Sequence, residues 1–389
     1  MKQGWEIKKL GDVCDIINGF AFKSLLFTEQ GENILRISNI QNGLVDLTDI
    51  AHFSKTDYPK VNFEKYEVLP DDIVVALSGA TTGKFGINRT DEKLYLNQRV
   101  AICRESLKML NHFFLFYYLQ TQSKSFLESA EGVAQPNLST EQMKRYKIAI
   151  PPLPEQERIV AELDCLSSII EKQKDQLKEL DNLAQSIFYT MFGDPITNEK
   201  GWEVKTFGKE FEISSGGTPS TSNKQYWDNG DISWIGSNMC QNAVIYENDG
   251  KYITTLGLEK SSAKLYDEGY VLVALVGATI GKTALLKIRT STNQNIAGIN
   301  VPKNKEYNSV FVFYLLQRLY CLFEDIGGDK FKMANLGFVR SLPLMSPPIL
   351  LQQEFASKIE AIEKQKELIK QSMAETETLF NSRMDYYFN

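Results

Sequence analysis

Two stretches of the chain share one spacing of apolar positions. From Glu155 onward apolar side chains recur every three or four places, at Ile159, Leu163, Leu166, Ile170, Leu177, Leu180, Ala184, Ile187 and Met191, with Gln173 breaking the series. From Gln352 onward the same rhythm gives Phe355, Ile359, Ile362, Ile369, Met373, Phe380 and Tyr387, interrupted by Lys366, Thr376 and Arg383. A 3.5-residue period is that of a coiled-coil seam. Two such seams in one chain predict two long helices packed on each other, the alternative being that each lies on its own domain. Before each helix come short strand-like runs, such as "DIVVAL", "KLYLNQRVAIC" and "RYKIAIPP", and "NHFFLFYYLQTQSKSFLESA", which reads as helix. Prolines 151, 152 and 154 end the last strand and let a helix start.

The chain is written twice, at a shift of 196 to 198 residues. "GWEIKKLGDVCDIINGF" at 4 returns as "GWEVKTFGKEFEISSGG" at 201, "VALSGATTGK" returns as "VALVGATIGK", and "LNQRVAI" at 96 matches "TNQNIAG" at 292. The expected fold is α+β: a strand-rich mixed domain at 1–152, a helix at 153–193, a second such domain at 194–348 and a helix at 349–389, with pseudo-twofold repetition. By the same symmetry residue 388 should lie near residue 5.

The repeated glycine loop imitates a phosphate-binding loop but spaces its glycines by three residues instead of four, and puts Phe85 where a Ser or Thr should follow the lysine. A hairpin turn fits better. Pro70-Asp71 followed by Asp91-Glu92-Lys93 loosely resembles a magnesium nuclease arrangement, and the second half does not repeat it.

Composition removes other chemistries. Two histidines, His52 and His112, leave little scope for zinc hydrolysis or Ser-His-Asp catalysis, and five scattered cysteines form neither a disulfide framework nor a zinc site, so no metal is expected. No apolar run approaches a membrane span and the start lacks a signal-peptide core, so a cytoplasmic location is expected. The net charge of −6 opposes a nucleic-acid partner until it is apportioned. Residues 155–194 carry −5 and residues 352–389 carry −2, which leaves the strand-rich parts at +1. Acidic helices are no DNA face; nearly neutral domains with local Lys and Arg are compatible with one.

Taken in order, "GWE...LGD" at the start of each half, "GGTPSTSNKQYWDNGDISWIGSNM", the paired glycine loops, "QPNLS" at 135, "PPLPEQ" at 151 and "MFGDPITNEKGWE" at the junction resemble the specificity (S) subunits of type I restriction-modification systems. The resemblance spans essentially the whole chain, although "KMANLGF" at 332 lacks the "QPNLS" wording of the first half. It implies that each strand-rich part is a target recognition domain reading one half of a split double-stranded DNA sequence. It also implies that the helices form an antiparallel coiled-coil pair that spaces these domains and helps dock two adenine methyltransferase subunits, with ATP-dependent restriction subunits in the full complex. The chain itself would bind no cofactor, while S-adenosylmethionine, ATP and magnesium would sit on the partners. The residues agree about catalysis, since no Asn/Asp-Pro-Pro-aromatic loop for gripping a flipped adenine is present. A coiled-coil scaffold whose duplicated domains bind protein is the main alternative, and a magnesium nuclease another.

Candidate DNA contacts follow from residue chemistry. Lys84 and Lys282 on glycine turns suit phosphates. Asn97, Gln98 and Arg99, with Asn293, Gln294 and Asn295, could read base edges, because amides pair with adenine and Arg with guanine. Arg36 and Asn39 in one half, and Trp234, Ser237 and Asn238 in the other, hold similar places after a strand. Base specificity should lie where the halves differ, since they are expected to read different sequences.

Overall fold

Strand Ile73–Ala76 is buried at all four residues, and alternate side chains point to opposite faces of a strand. Ile73 and Val75 enter a core shared with helical residues Phe114 and Leu115, whereas Val74 and Ala76 enter a core shared with Leu35, Leu94 and Leu96 of another sheet. A strand covered on both faces reads as an unbroken apolar run. The computed structural model describes residues 4–106, 109–130, 137–302, 306–324, 326 and 333–388. It divides into two compact units, residues 1–173 with 371–389, and residues 174–370.

In the first unit a six-stranded sheet runs Cys14–Asn18, Val100–Glu105, Ile73–Ala76, Phe85–Ile87, Leu44–Val45, Ile40–Gln41. A five-stranded sheet runs Phe27–Thr28, Ala51–Phe53, Glu32–Leu35, Leu94–Leu96, Glu67–Val68. Helices His112–Thr121 and Ser123–Ala130 cover the first sheet, and Phe22, Phe53, Phe63 and Tyr95 form an aromatic cluster behind the second. The run "KLYLNQRVAIC" is thus two strands, Leu94–Leu96 and Val100–Glu105, which belong to different sheets.

The second unit repeats this plan with five strands, in the order Glu212–Ser215, Ile296–Asn300, Val271–Ala274, Thr283–Leu286, Ala243–Ile245. Its other sheet has four, Tyr252–Ile253, Ile232–Ile235, Thr290–Thr292, Leu265–Tyr266.

Each long helix has 40 residues, Leu153–Phe192 in the centre of the chain and Ile349–Phe388 at its end. One buried glutamine locks each start. Gln156 accepts the Asn111 N–H at 2.7 Å and donates to the carbonyls of Met109 and Pro151, both at 2.8 Å. Gln352 accepts the Asn308 N–H at 2.9 Å and donates to Glu306 and Pro347 at 3.0 and 2.8 Å. Asn111 and Asn308 in turn cap the helices that follow them.

Both ways of burying an amphipathic helix operate together. In the first unit Ile159 and Leu163 of the central helix join the domain core beside Met384 and Tyr387 of the C-terminal helix, and Glu162 pairs with Arg383 at 2.8 Å. In the second unit Phe355, Ile359 and Ile362 of the C-terminal helix join the core with Phe188 and Phe192, and Lys366 pairs with Asp181 at 2.8 Å. Ile170 is buried, while Leu166, Leu177, Leu180, Ile369 and Met373 are half-buried in the antiparallel seam. Three of the four polar interruptions have partners across it: Gln173 donates to Ser372 at 3.0 Å, and Lys366 and Arg383 hold the acids just named, while the Thr376 hydroxyl donates to the Ser372 carbonyl of its own helix at 2.9 Å. In the first unit Trp5 and Phe388 both pack on Phe114, at ring-centroid distances of 6.4 and 5.1 Å, so the chain's two ends meet there.

Candidate nucleic-acid interface

In the first unit strands Cys14–Asn18, Val100–Glu105 and Ile73–Ala76 finish level with one another, with Asn18 opposite Ala101 and Ala76 opposite Val100. The glycine loop leaves Ala76 there as a short 3-10 turn, Gly79–Thr81, and returns as strand Phe85–Ile87. Gly79 and Gly83 both have φ of 81°, and a Cβ on Gly83 would lie 2.7 Å from the Ser123 carbonyl. The loop is a hairpin in left-handed geometry that leads into a strand, so it lacks the helix N-terminus of a nucleotide loop.

The Asn97–Arg99 turn lies beside it, with the Leu77 N–H donating to the Arg99 carbonyl at 2.8 Å. Asn97 Oδ1 accepts the Arg99 N–H at 3.1 Å, which shapes the turn. Arg36 follows Leu35, whose carbonyl accepts the Asn97 N–H at 3.0 Å. Ile37 comes within 3.9 Å of the Cβ position of Gly79. Lys84, Asn97, Gln98, Arg99 and Arg36 are therefore gathered at one end of the two sheets.

Gathering does not make them equally available. Lys84, Gln98 and Arg99 are exposed, and their side chains make no hydrogen bond or ion pair with the described residues. Arg36 is held by Asp49, donating to its carbonyl at 2.9 Å and its carboxylate at 3.3 Å. Asn39 is 2 % exposed and spends its amide on the Arg36 N–H and the carbonyls of Asp46 and Asp49. It supports the loop from inside and is not a surface reader.

The second unit gathers its own set. The Asn293 N–H donates to the Ile235 carbonyl at 3.2 Å, and the Leu275 N–H to the Asn295 carbonyl at 2.8 Å. Lys282, free by analogy with Lys84, instead donates to Gln241 Oε1 at 3.0 Å. Asn293 Oδ1 accepts the Asn295 N–H at 3.0 Å, and Gln294 Oε1 accepts the Thr218 hydroxyl at 2.5 Å. Trp234 is 8 % exposed and its indole donates to the Gly217 carbonyl at 3.0 Å, so it too is scaffold and not a base reader. Ser237 opens a 3-10 turn and is half-buried; Asn238 is exposed. Asp49, Thr218 and Gln241 control these side chains and were missed by sequence reasoning. For Thr218 a signal existed, because the first half has Ala21 at that place beside the matching glycine.

Other chemistries find no support in the geometry. Asp71 pairs with Arg89 and Lys93 with Glu67, while Asp91 and Glu92 are exposed. No group of three or more His, Cys, Asp or Glu among the described residues could hold a metal ion. Burial pushes the Cys14 and Cys240 thiols up to about 12 and raises Cys103 as well, which leaves them protonated and inert. His112 is occupied by Glu105 at 2.7 Å. Among the described residues no helix is long and apolar enough to cross a membrane. Gln135 and Pro136 of "QPNLS", and Lys332, lie outside the described residues.

Known proteins carry the same plan. The chain is 33 % identical over 187 residues to the type I restriction enzyme EcoAI specificity subunit of Escherichia coli, spanning 46 % of this chain and 31 % of that one. It is 21 % identical over 377 residues to the MjaIX specificity subunit of Methanocaldococcus jannaschii, spanning 92 % and 86 %. Its fold is similar to the S subunit of a type I restriction-modification system from M. genitalium, with a TM-score of 0.58 at 15 % identity over 99 % of this chain and 96 % of that one. The family model described as type I restriction modification DNA specificity domain matches twice, over residues 2–181 and 199–378. With two copies of that domain, each ending in a long helix, the chain belongs to the type I restriction modification DNA specificity family, as a non-catalytic subunit that recognises a DNA sequence.

Proposed function

We propose that the chain reads an asymmetric, bipartite double-stranded DNA target, one half-site per unit, and docks two adenine methyltransferase subunits. ATP-dependent restriction subunits join the full complex. S-adenosylmethionine, ATP and magnesium belong to those partners, and the complex works in the cytoplasm. One observation carries the reading: each unit brings the same set of loops to the same strand ends, yet equips them with different side chains. A shared frame with unlike polar tips suits two readers of unlike sequence. Repetition supports the paired partners, since exposed apolar residues recur at equivalent places, Ile7 with Val204 and Leu183 with Leu379.

Methylation of a randomised plasmid library by the chain with its methyltransferase partners tests this. The expected target is two short blocks with a fixed gap; a contiguous site, or no sequence preference, overturns the proposal. The long helices act as the ruler. A 40-residue helix is roughly 60 Å long at 1.5 Å per residue. Four residues inserted between Gln173 and Leu180 should keep both blocks and lengthen the preferred gap by about one or two base pairs.

A further inference from the structure

Gln294 and Gln98 hold equivalent places in the two units, but among the described residues only the Gln294 side chain is held. The Gly217 N–H donates to the Thr292 carbonyl at 2.8 Å, as the Phe20 N–H donates to Leu96 at 2.8 Å in the first unit. That match aligns Thr218 with Ala21, one residue further on. The Thr218 hydroxyl donates to Gln294 Oε1 at 2.5 Å, whereas Ala21 has nothing to donate to Gln98.

Thr218 stands on a rigid base. A Cβ on Gly216 would lie 2.1 Å from Thr292 Oγ1, and one on Gly217 would lie 2.3 Å from Ser262 Oγ, so both residues must be glycine for the chain to pass. The Trp234 indole holds the Gly217 carbonyl at 3.0 Å, and Pro219 on the far side is buried. The hydroxyl is therefore presented from a fixed point to an exposed amide.

A held amide has one polarity. Oε1 keeps one lone pair after accepting from Thr218, and Nε2 keeps two donors. Adenine offers the major groove one acceptor, N7, beside one donor, the N6 amino group; guanine offers two acceptors, N7 and O6. An unheld amide such as Gln98 can swing to give only its NH2 group to guanine, while a held one would have to break its Thr218 bond. We infer that Thr218 is a positioning residue that makes Gln294 read an adenine in the half-site of the second unit, an inference resting on the DNA-reading function proposed above.

The test uses the complete chain with its methyltransferase partners on a plasmid library randomised across both half-sites. Gln294→Ala marks the base pair that this side chain reads. At that pair Thr218→Val, which keeps the shape and removes the hydroxyl, should lose about fivefold or more of the preference for adenine over guanine. Thr218→Ser, which restores the hydroxyl, should recover it. The first unit's half-site should be unchanged in both variants.

The inference is overturned if Thr218→Val keeps the wild-type preference, if Thr218→Ser behaves like Thr218→Val, or if the loss is equal at all positions of both half-sites. A wild-type chain with no sequence preference would instead overturn the DNA-reading function, so the two failures are distinguishable.

Discussion

The strand ends of the first unit present Lys84, Gln98 and Arg99 with no side-chain partner among the described residues, while the second unit presents Lys282, Gln294 and Asn295 with the first two already engaged by Gln241 and Thr218. One backbone frame thus carries two cations and an amide without side-chain partners in one unit, and a single cation and an amide that are both braced in the other. A second contrast lies behind the loops. Asp72 is 4 % exposed and is gripped by Arg104 through two bonds of 2.7 and 2.5 Å. The matching residues of the second unit, Tyr270 and Asn300, line an open cleft with Asp267 and Arg289. Duplication has conserved main-chain geometry and left side-chain electrostatics free to diverge.

The largest expected effect comes from the buried ion pair. Arg104→Ala leaves a buried carboxylate without its partner, and about 3 kcal/mol of stability should be lost, the lower end for such pairs because Arg104 is partly exposed. Asn300→Ala should cost far less. Urea unfolding of the two variants makes the comparison, and equal losses would mean that the pair is not what distinguishes the units.

The helix anchors should show no such contrast. Gln156→Ala and Gln352→Ala each strand three backbone groups around a fully buried side chain, and each should cost about 2 kcal/mol. A clear inequality in the same unfolding experiment would show that one helix start has a second support.

A smaller effect separates the lysines. If Lys84 neutralises a phosphate, Lys84→Ala should lower the slope of log binding constant against log salt by about one unit and weaken binding to all sequences alike. Lys282→Ala should change the slope less, since its ammonium group is shared with Gln241. Equal slope changes would remove the electrostatic distinction between the two faces.

The smallest effect concerns the turn that closes the second unit. The Glu199 carboxylate accepts the Asp194 N–H at 3.1 Å and the Thr197 hydroxyl at 2.8 Å. Backbone hydrogen bonds and the Thr197 hydroxyl hold it below its usual value of 4.5. A depressed carboxylate stabilises the fold above its unfolded value and loses that contribution as pH falls through the folded one. The turn should therefore loosen below about pH 4.5, read at the Trp202 indole, which donates to the Phe192 carbonyl at 2.8 Å. Glu199→Gln should flatten that response. At the shift that matches Trp5 with Trp202, the place of Glu199 is taken by Lys2, so Trp5 should show no matching transition.

Periodicity and repetition were legible because they are carried by local, additive signals. The seam from Ile159 to Met191 and its copy from Phe355 to Tyr387 could be counted directly, and so could the two glycine loops. Less visible was that both ends of each helix enter domain cores, because Phe188, Phe311 and Phe355 meet from three separate segments. The split of "KLYLNQRVAIC" into two sheets escaped for a related reason: a short apolar run does not say which partner strand it will pair with.

The sequence by itself determined the duplication, the two long helices, the absence of familiar catalytic motifs and the family. Hydrophobic period and motif order need no knowledge of distant contacts. Only the tertiary structure decided which polar side chains remain available at the strand ends. Asn39, Trp234, Arg36, Lys282 and Gln294 are all good DNA-contacting types, yet each is engaged by a partner elsewhere in the chain: Asp46 and Asp49, Gly217, Asp49, Gln241 and Thr218. A hydrogen bond is set by position and direction in space, and the folded chain alone brings those partners into reach.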